Sequence, residues 1–162
     1  MGKFRDVTLC YIIKDHKWLM LLRNKKKNDI NEGKWIGVGG KVENDESPEE
    51  CIIREIKEET GLNPLRVDYR GMIDFIYEFK DYEKIFLFTC EDFEGDLIDC
   101  DEGTLAWIDE DKILDLDLWE GDIVFLKRLL KNDKDDIFYY EFKYDEHGKL
   151  VDIKEKGEWN HE

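Results

Sequence analysis

Short apolar blocks of two kinds of period alternate with charged stretches along this chain of 162 residues. Residues 8–13 and 18–22 are compact apolar runs, and residues 14–17 (Lys-Asp-His-Lys) between them predict a hairpin. Residues 24–32 are polar and read as an exposed loop. Residues 35–40 (Trp-Ile-Gly-Val-Gly-Gly) read as a short extended segment closed by a glycine turn. Residues 67–77 and 84–90, rich in Phe, Ile and Tyr, predict two more strands, with an acidic loop at 99–102 before a further apolar run at 105–108. A helical turn is expected at 109–114, an amphipathic helix at 122–130, and a terminal hairpin of 137–144 with 150–153 around His147-Gly148.

The best-marked element is a helix over residues 48–60. Ser47 is suited to cap it, Pro48 fits its first position, Glu50 completes a capping box and Gly61 is a natural left-handed terminator. At 3.6 residues per turn Ile52, Ile53 and Ile56 form the buried stripe, with Glu50, Arg54 and Lys57 on the outer face. No linker or internal repeat interrupts the chain, so residues 1–162 are expected to form a single domain. Strands separated by two main helices predict an α+β or α/β sandwich around a mixed sheet.

Composition narrows the partners. The 41 acids against 25 bases give a net charge of −16, which disfavours a grip on a nucleic-acid backbone. A small phosphorylated ligand is compatible with such a surface where metal ions offset the local field. Cys10, Cys51, Cys90 and Cys100 form no C-x-x-C pair and the histidines are scattered, which argues against a zinc site or a disulfide framework. No apolar leader opens the sequence and no stretch reaches transmembrane length, so a cytoplasmic protein without a membrane partner is expected.

Glu55, Glu58 and Glu59 fall together on one sector of the predicted helix, at i, i+3 and i+4. They lie in its last two turns, where the helix dipole disfavours anions by about 0.3–1 kcal/mol each. Their mutual repulsion adds a few tenths of a kcal/mol per pair. A solvated face gains nothing from this arrangement, whereas a site for hard divalent cations does. Arg54, one turn before Glu58, is placed to orient a carboxylate or contact a phosphate.

Taken as a whole, residues 40–62 resemble the Nudix box, the signature of Nudix hydrolases. Gly40 is its first glycine, Glu46 its first glutamate, and residues 54–62 (Arg-Glu-Ile-Lys-Glu-Glu-Thr-Gly-Leu) its tail. The resemblance implies an α/β/α sandwich and Mg²⁺- or Mn²⁺-dependent hydrolysis of a nucleoside diphosphate linked to another group. It extends to the MutT-like branch that cleaves oxidised purine nucleoside triphosphates such as 8-oxo-dGTP. Residues 33–42 (Gly-Lys-Trp-Ile-Gly-Val-Gly-Gly-Lys-Val) are similar to that branch's Gly-Arg-Trp-Asn-Gly-Phe-Gly-Gly-Lys-Val. Asp101-Glu102, Trp107, residues 118–122 and the terminal hairpin follow its later pattern.

The resemblance implies Glu55, Glu58, Glu59, Glu102 and the Gly39 carbonyl as metal ligands, with Arg54 supporting catalysis and Glu58 or Glu102 as general base. Lys41 contacts phosphate or covers the glycine corner. Phe75 and Tyr77 share one strand face, where they line a pocket or pack the core. Trp119 stacks on a base or anchors a helix, and Asp122 reads the base. Two positions depart from the pattern: Ile36 replaces a base-reading asparagine, and a pair of aspartates is reduced to Gly121-Asp122. Trp18, Trp159 and the histidines carry no expected function. ADP-ribose hydrolases usually carry a proline downstream of the box, and this chain has none after Pro64. The expected partner is thus a small nucleotide, bound by a monomer or homodimer that sanitises the nucleotide pool.

Overall fold

The computed structural model describes residues 4–25, 31–77 and 81–157. The predicted loop at 24–32 is partly, and Trp159 and His161 wholly, outside the described residues. An eight-stranded mixed sheet organises the chain. Strand β1 (Phe4–Lys14) turns into β2 (Lys17–Leu22) through Asp15 and His16, both at positive φ, which gives the tight two-residue hairpin expected from 14–17. Strand β3 (Trp35–Ile36) follows, then helix α1 (Pro48–Thr60). Strands β4 (Asn63–Tyr77) and β5 (Asp81–Glu94) form a long antiparallel pair, and β6 (Thr104–Asp109) leads into a 3-10 helix, Glu110–Asp115. Helix α2 (Glu120–Leu129) and strands β7 (Phe138–Tyr144) and β8 (Leu150–Gly157) complete the order.

The strands lie in the order β3-β2-β1-β5-β4-β7-β8, with β6 also paired to β2. The β1–β5 and β4–β7 pairs are parallel. Such pairs need crossover connections, and the two helices supply them on opposite faces. Ile52 and Ile56 of α1 pack with Cys10, Ile12, Leu19, Leu21, Met72 and Phe86. Phe125, Leu126 and Leu129 of α2 pack with Tyr11, Trp18, Met20, Ile73 and Leu87. Alternate residues of β1 and β2 therefore bury themselves on both faces, which is why these strands read as unbroken apolar runs. Helix, sheet and helix make the expected α/β/α sandwich.

Several boundaries differ from the sequence expectation. Strand β4 starts at Asn63, four residues before the expected 67; Pro64 interrupts the strand signal there, and Leu65 and Arg66 are both exposed, so no apolar alternation marks this end. Helix α2 starts at Glu120, two residues before the expected 122. Strand β8 starts at Leu150 as expected but runs four residues past the expected 153, to Gly157, where every residue is exposed and no apolar alternation marks it; its lysines and acids suit an unprotected edge. Ile53 is only half-buried, and Arg54 does not face outward but bends back over the carboxylates.

Candidate active site

Helix α1 begins with the full capping box. Ser47 accepts the Glu50 N–H at 3.1 Å and Glu50 Oε1 accepts the Ser47 N–H at 2.9 Å. Gly61, at φ 80°, closes the other end and donates its N–H to Lys57 O. The glycine corner lies along one edge of β1, where Thr8 donates its N–H to Gly40 O at 2.8 Å and Cys10 to Val38 O at 2.7 Å. A Cβ on Gly39 would sit 1.9 Å from the Thr8 carbonyl oxygen, so only glycine permits this approach. The corner thereby meets the last turns of α1, and Gly39 donates its N–H to Glu59 Oε2 at 3.2 Å.

Arg54 lies at the centre of the acids. Its Nε and Nη2 donate to the two oxygens of Glu46 at 2.8 and 3.0 Å, a bidentate pair. Its Nη1 donates to Glu55 Oε1 at 2.9 Å and Glu58 Oε2 at 3.2 Å, and Nη2 also reaches Lys41 O at 3.2 Å. These hydrogen bonds hold the Glu46 carboxyl down to about 2. Glu55 is pushed the other way by burial, against the pull of Arg54 and with repulsion from Glu58 and Glu102. Glu59 is pushed well above the carboxylate range, first by burial, then by the charges of Glu102 and Glu55. Glu102, from the loop before β6, is paired with Arg23 at 3.2 Å.

A cavity of about 500 Å³ gathers most of these groups. Glu55, Glu59, Glu102, Gly39 and Lys41 line one side of it, and Phe75, Trp119, Asp122 and Ile36 another. Three of the expected site residues, Arg54, Glu58 and Tyr77, are not on its wall. Glu58 is not on the cavity wall; its side chain is 59% exposed and tethered by Arg54. Tyr77 backs Trp119 edge-on, its centroid 6.2 Å away, and its hydroxyl donates to Glu146 O, so it supports the wall without lining it.

Trp119 anchors the start of a helix and also faces the cavity. It is the residue before α2 and packs edge-on against Phe75 and Tyr144, at 5.4 and 5.0 Å, while still lining the cavity. Its Nε1 donates to Asn31 Oδ1 at 2.7 Å. Asp122 is buried, and desolvation pushes its carboxyl up to about 7 although Lys34 pulls the other way. The departure at 121 has a packing cause: a Cβ on Gly121 would lie 2.5 Å from the Phe142 ring and 2.7 Å from the Tyr144 hydroxyl. Gly121 donates its N–H to that hydroxyl at 2.7 Å.

Arg5, Arg23, Asn31 and Glu83 were not singled out in the sequence, yet all line the cavity. None belongs to a motif; their placement follows from strand pairing and loop closure. Only the alternation of β1, which puts Arg5 on the face of Val7 and Leu9, offered a sequence signal for one of them.

As the side chains stand, no three acidic, histidine or cysteine groups among the described residues close around a single point. The donor set nevertheless fits a hard cation. Carboxylates of Glu55, Glu59 and Glu102 face one cavity, and the first two are raised first by burial and then by neighbouring carboxylate charge, which a divalent ion would offset.

The NUDIX domain model matches residues 3–129. The chain is 32% identical over 136 residues to an oxidized purine nucleoside triphosphate hydrolase of Danio rerio, covering 83% of this chain and 85% of that one. A shorter match, 49% identical over 53 residues, covers 33% of this chain and 30% of an ADP-ribose pyrophosphatase of Methanocaldococcus jannaschii. Among solved structures, a mutator MutT protein from Bacillus halodurans superposes with a TM-score of 0.84 at 26% identity, covering 94% of this chain and 98% of the other. Box, sandwich and relatives agree: the chain belongs to the NUDIX family, as a MutT-like Nudix hydrolase.

Proposed function

We propose that this hydrolase uses Mg²⁺ or Mn²⁺ to cleave a purine nucleoside triphosphate, of the oxidised type represented by 8-oxo-dGTP, into the monophosphate and pyrophosphate. One observation carries the reading. The acids Glu55, Glu59 and Glu102 share a single cavity with an aromatic slot of Trp119 and Phe75 and with the buried carboxyl of Asp122. A polyphosphate at the acids thus places its base against Trp119. The match to the Danio rerio relative over 83% of this chain supports this substrate over ADP-ribose, whose named relative matches a third of the chain.

Glu55, Glu58, Glu59, Glu102 and the Gly39 carbonyl would hold the ions. When bound, divalent ions neutralise the polyphosphate, acidify a water and stabilise the leaving oxygen. Arg54 keeps Glu55 and Glu58 in position through its hydrogen bonds at 2.9 and 3.2 Å. Either Glu58 or Glu102 accepts the proton of the attacking water as general base. Glu102 stands on the cavity wall, whereas Glu58 stands off it and is held by Arg54. Lys41 lies beside the acids and adds positive charge for the phosphates, while Trp119 and Phe75 hold the base and Asp122 contacts its edge.

The test is kcat/KM over 8-oxo-dGTP, dGTP, dATP, CTP and ADP-ribose with Mg²⁺ and with Mn²⁺, alongside Glu58→Gln and Glu102→Gln. Pyrophosphate release favouring 8-oxo-dGTP is expected, with a loss of about 10²-fold or more in the variant that removes the base. Equal turnover of 8-oxo-dGTP and dGTP would defeat the oxidised-purine reading.

A further inference from the structure

The base slot has lost hydrogen-bonding groups on one wall and carries an ion pair on another. Ile36 offers no polar atom, and position 121 has no side chain and no room for one. The floor of the cavity is the sheet face carrying Arg5, Val7 and Leu9 of β1, Ile85 and Glu83 of β5, and Phe75 of β4. The registers order these side chains in rows. Phe75 is directly opposite Glu83 across the β4–β5 pair, and Glu83 is directly opposite Arg5 across the β5–β1 pair. Directly opposed side chains on one face have Cβ atoms about 5 Å apart. Glu83 therefore adjoins Phe75, whose ring is against Trp119, and Arg5 Nη2 reaches Glu83 Oε2 at 3.3 Å.

We propose that the Arg5–Glu83 pair reads the edge of the nucleobase held at Trp119 and Phe75, and selects bases with the 2-amino-6-oxo edge of guanine. This rests on the nucleotide reading above and deepens it. A carboxylate accepts two hydrogen bonds, which the N1–H and 2-amino group of guanine donate side by side. A guanidinium donates, and the 6-oxo group accepts. Adenine presents an acceptor at N1 and cytosine one at N3, each facing the carboxylate oxygens unfavourably. Oxidation at C8 leaves the guanine edge unchanged, so 8-oxo-dGTP meets the same pair.

The setting suits such a role. The two side chains are 43% and 31% exposed, so both are open to a ligand in the cavity and neither supports the core. An exposed pair of this kind is weak and gives way readily to a ligand that satisfies both charges.

The experiment compares wild type, Glu83→Gln, Glu83→Ala and Arg5→Gln. Affinities for imido-bridged dGTP and dATP are measured by calorimetry, and kcat and KM for dGTP, dATP and dCTP by pyrophosphate release; thermal unfolding checks the fold. The expected result is a wild-type preference for guanine that falls about tenfold in both Glu83 variants, in KM and affinity and not in kcat. Arg5→Gln lowers it by a smaller factor. A wild type that binds both analogues equally overturns the proposal. So does a loss equal for all bases, which would place the pair on the phosphates. Guanine-selective binding that depends on Glu83, in a chain that hydrolyses none of the nucleotides, upholds the base reader and overturns the enzymatic reading instead.

Discussion

The Cβ that Gly40 lacks would lie 2.6 Å from both the carboxyl carbon and Oε1 of Glu55. The glycine corner thus clears space for one carboxylate of the helix, and the two halves of the box are joined by contact as well as by sequence. Gly40→Ala is expected to leave the fold intact, because the obstructed group is the end of a side chain. It should push Glu55 off its position, away from Arg54 Nη1 and the cavity. A displacement near 1 Å costs about 10²-fold in rate where geometry is critical. Steady-state kcat together with an unchanged thermal midpoint checks this; a variant as fast as wild type would mean that Glu55 needs no fixed place.

Glu59 gives a prediction with two opposite signs. It is 8% exposed and faces the charges of Glu102 and Glu55. Glu59→Gln keeps an acceptor for the Gly39 N–H while removing one like charge. Without metal the variant should be more stable than wild type, by about 1 kcal/mol. Wild type should gain stability on adding Mn²⁺ or Mg²⁺, following RT ln(1 + [L]/Kd), and the variant should gain much less. Thermal midpoints with EDTA and across a metal titration read both signs. A variant destabilised without metal would show that Glu59 is held by partners stronger than its repulsion.

The box and its helix were legible because each position is dictated locally: Ser47, Pro48, Glu50 and Gly61 state the helix ends within a few residues of the chain. The strands β1 and β2 were legible because both faces are buried. The start of β4 and the last four residues of β8, 154–157, were not, since half-exposed and edge segments lack an apolar period. The cavity floor was hidden for another reason. That Glu83 stands between Arg5 and Phe75 is fixed by pairings of strands, the Arg5 partner lying far off in sequence, which no local pattern carries. Gly121 was visible as a departure, but its cause lies with Phe142 and Tyr144 on a later strand.

That packing makes Gly121→Asp a test of whether a paired acid can be restored. The new Cβ would meet the Phe142 ring at 2.5 Å and the Tyr144 hydroxyl at 2.7 Å, both parts of the core. Overpacking of this kind costs about 1–3 kcal/mol, and the carboxylate adds its own burial. The substitution should lower the thermal midpoint without improving selectivity for 8-oxo-dGTP. Pairing it with Tyr144→Phe, which removes the hydroxyl, should recover part of the loss. A stable single variant with better selectivity would show that the strand yields.

Asp122 sets a pH dependence whose sign can be worked out. Burial lifts its carboxyl from the usual 3.8 to about 7, so the folded chain prefers the protonated form. A raised value means that the group's contribution is fully present below the unfolded pKa and is lost as pH climbs from about 4 to 7. Above pH 7 wild type bears the whole penalty of a buried anion. Asp122→Asn is neutral throughout and bears none. At pH 8 the variant should therefore be more stable than wild type by about 2–4 kcal/mol, and at pH 4 the difference should nearly vanish. Urea unfolding at several pH values measures this directly. Lys34 opposes the shift, so Lys34→Met should widen the gap at pH 8. A gap that stays constant between pH 4 and 8 would show that Asp122 is ionised in the fold at all these pH values.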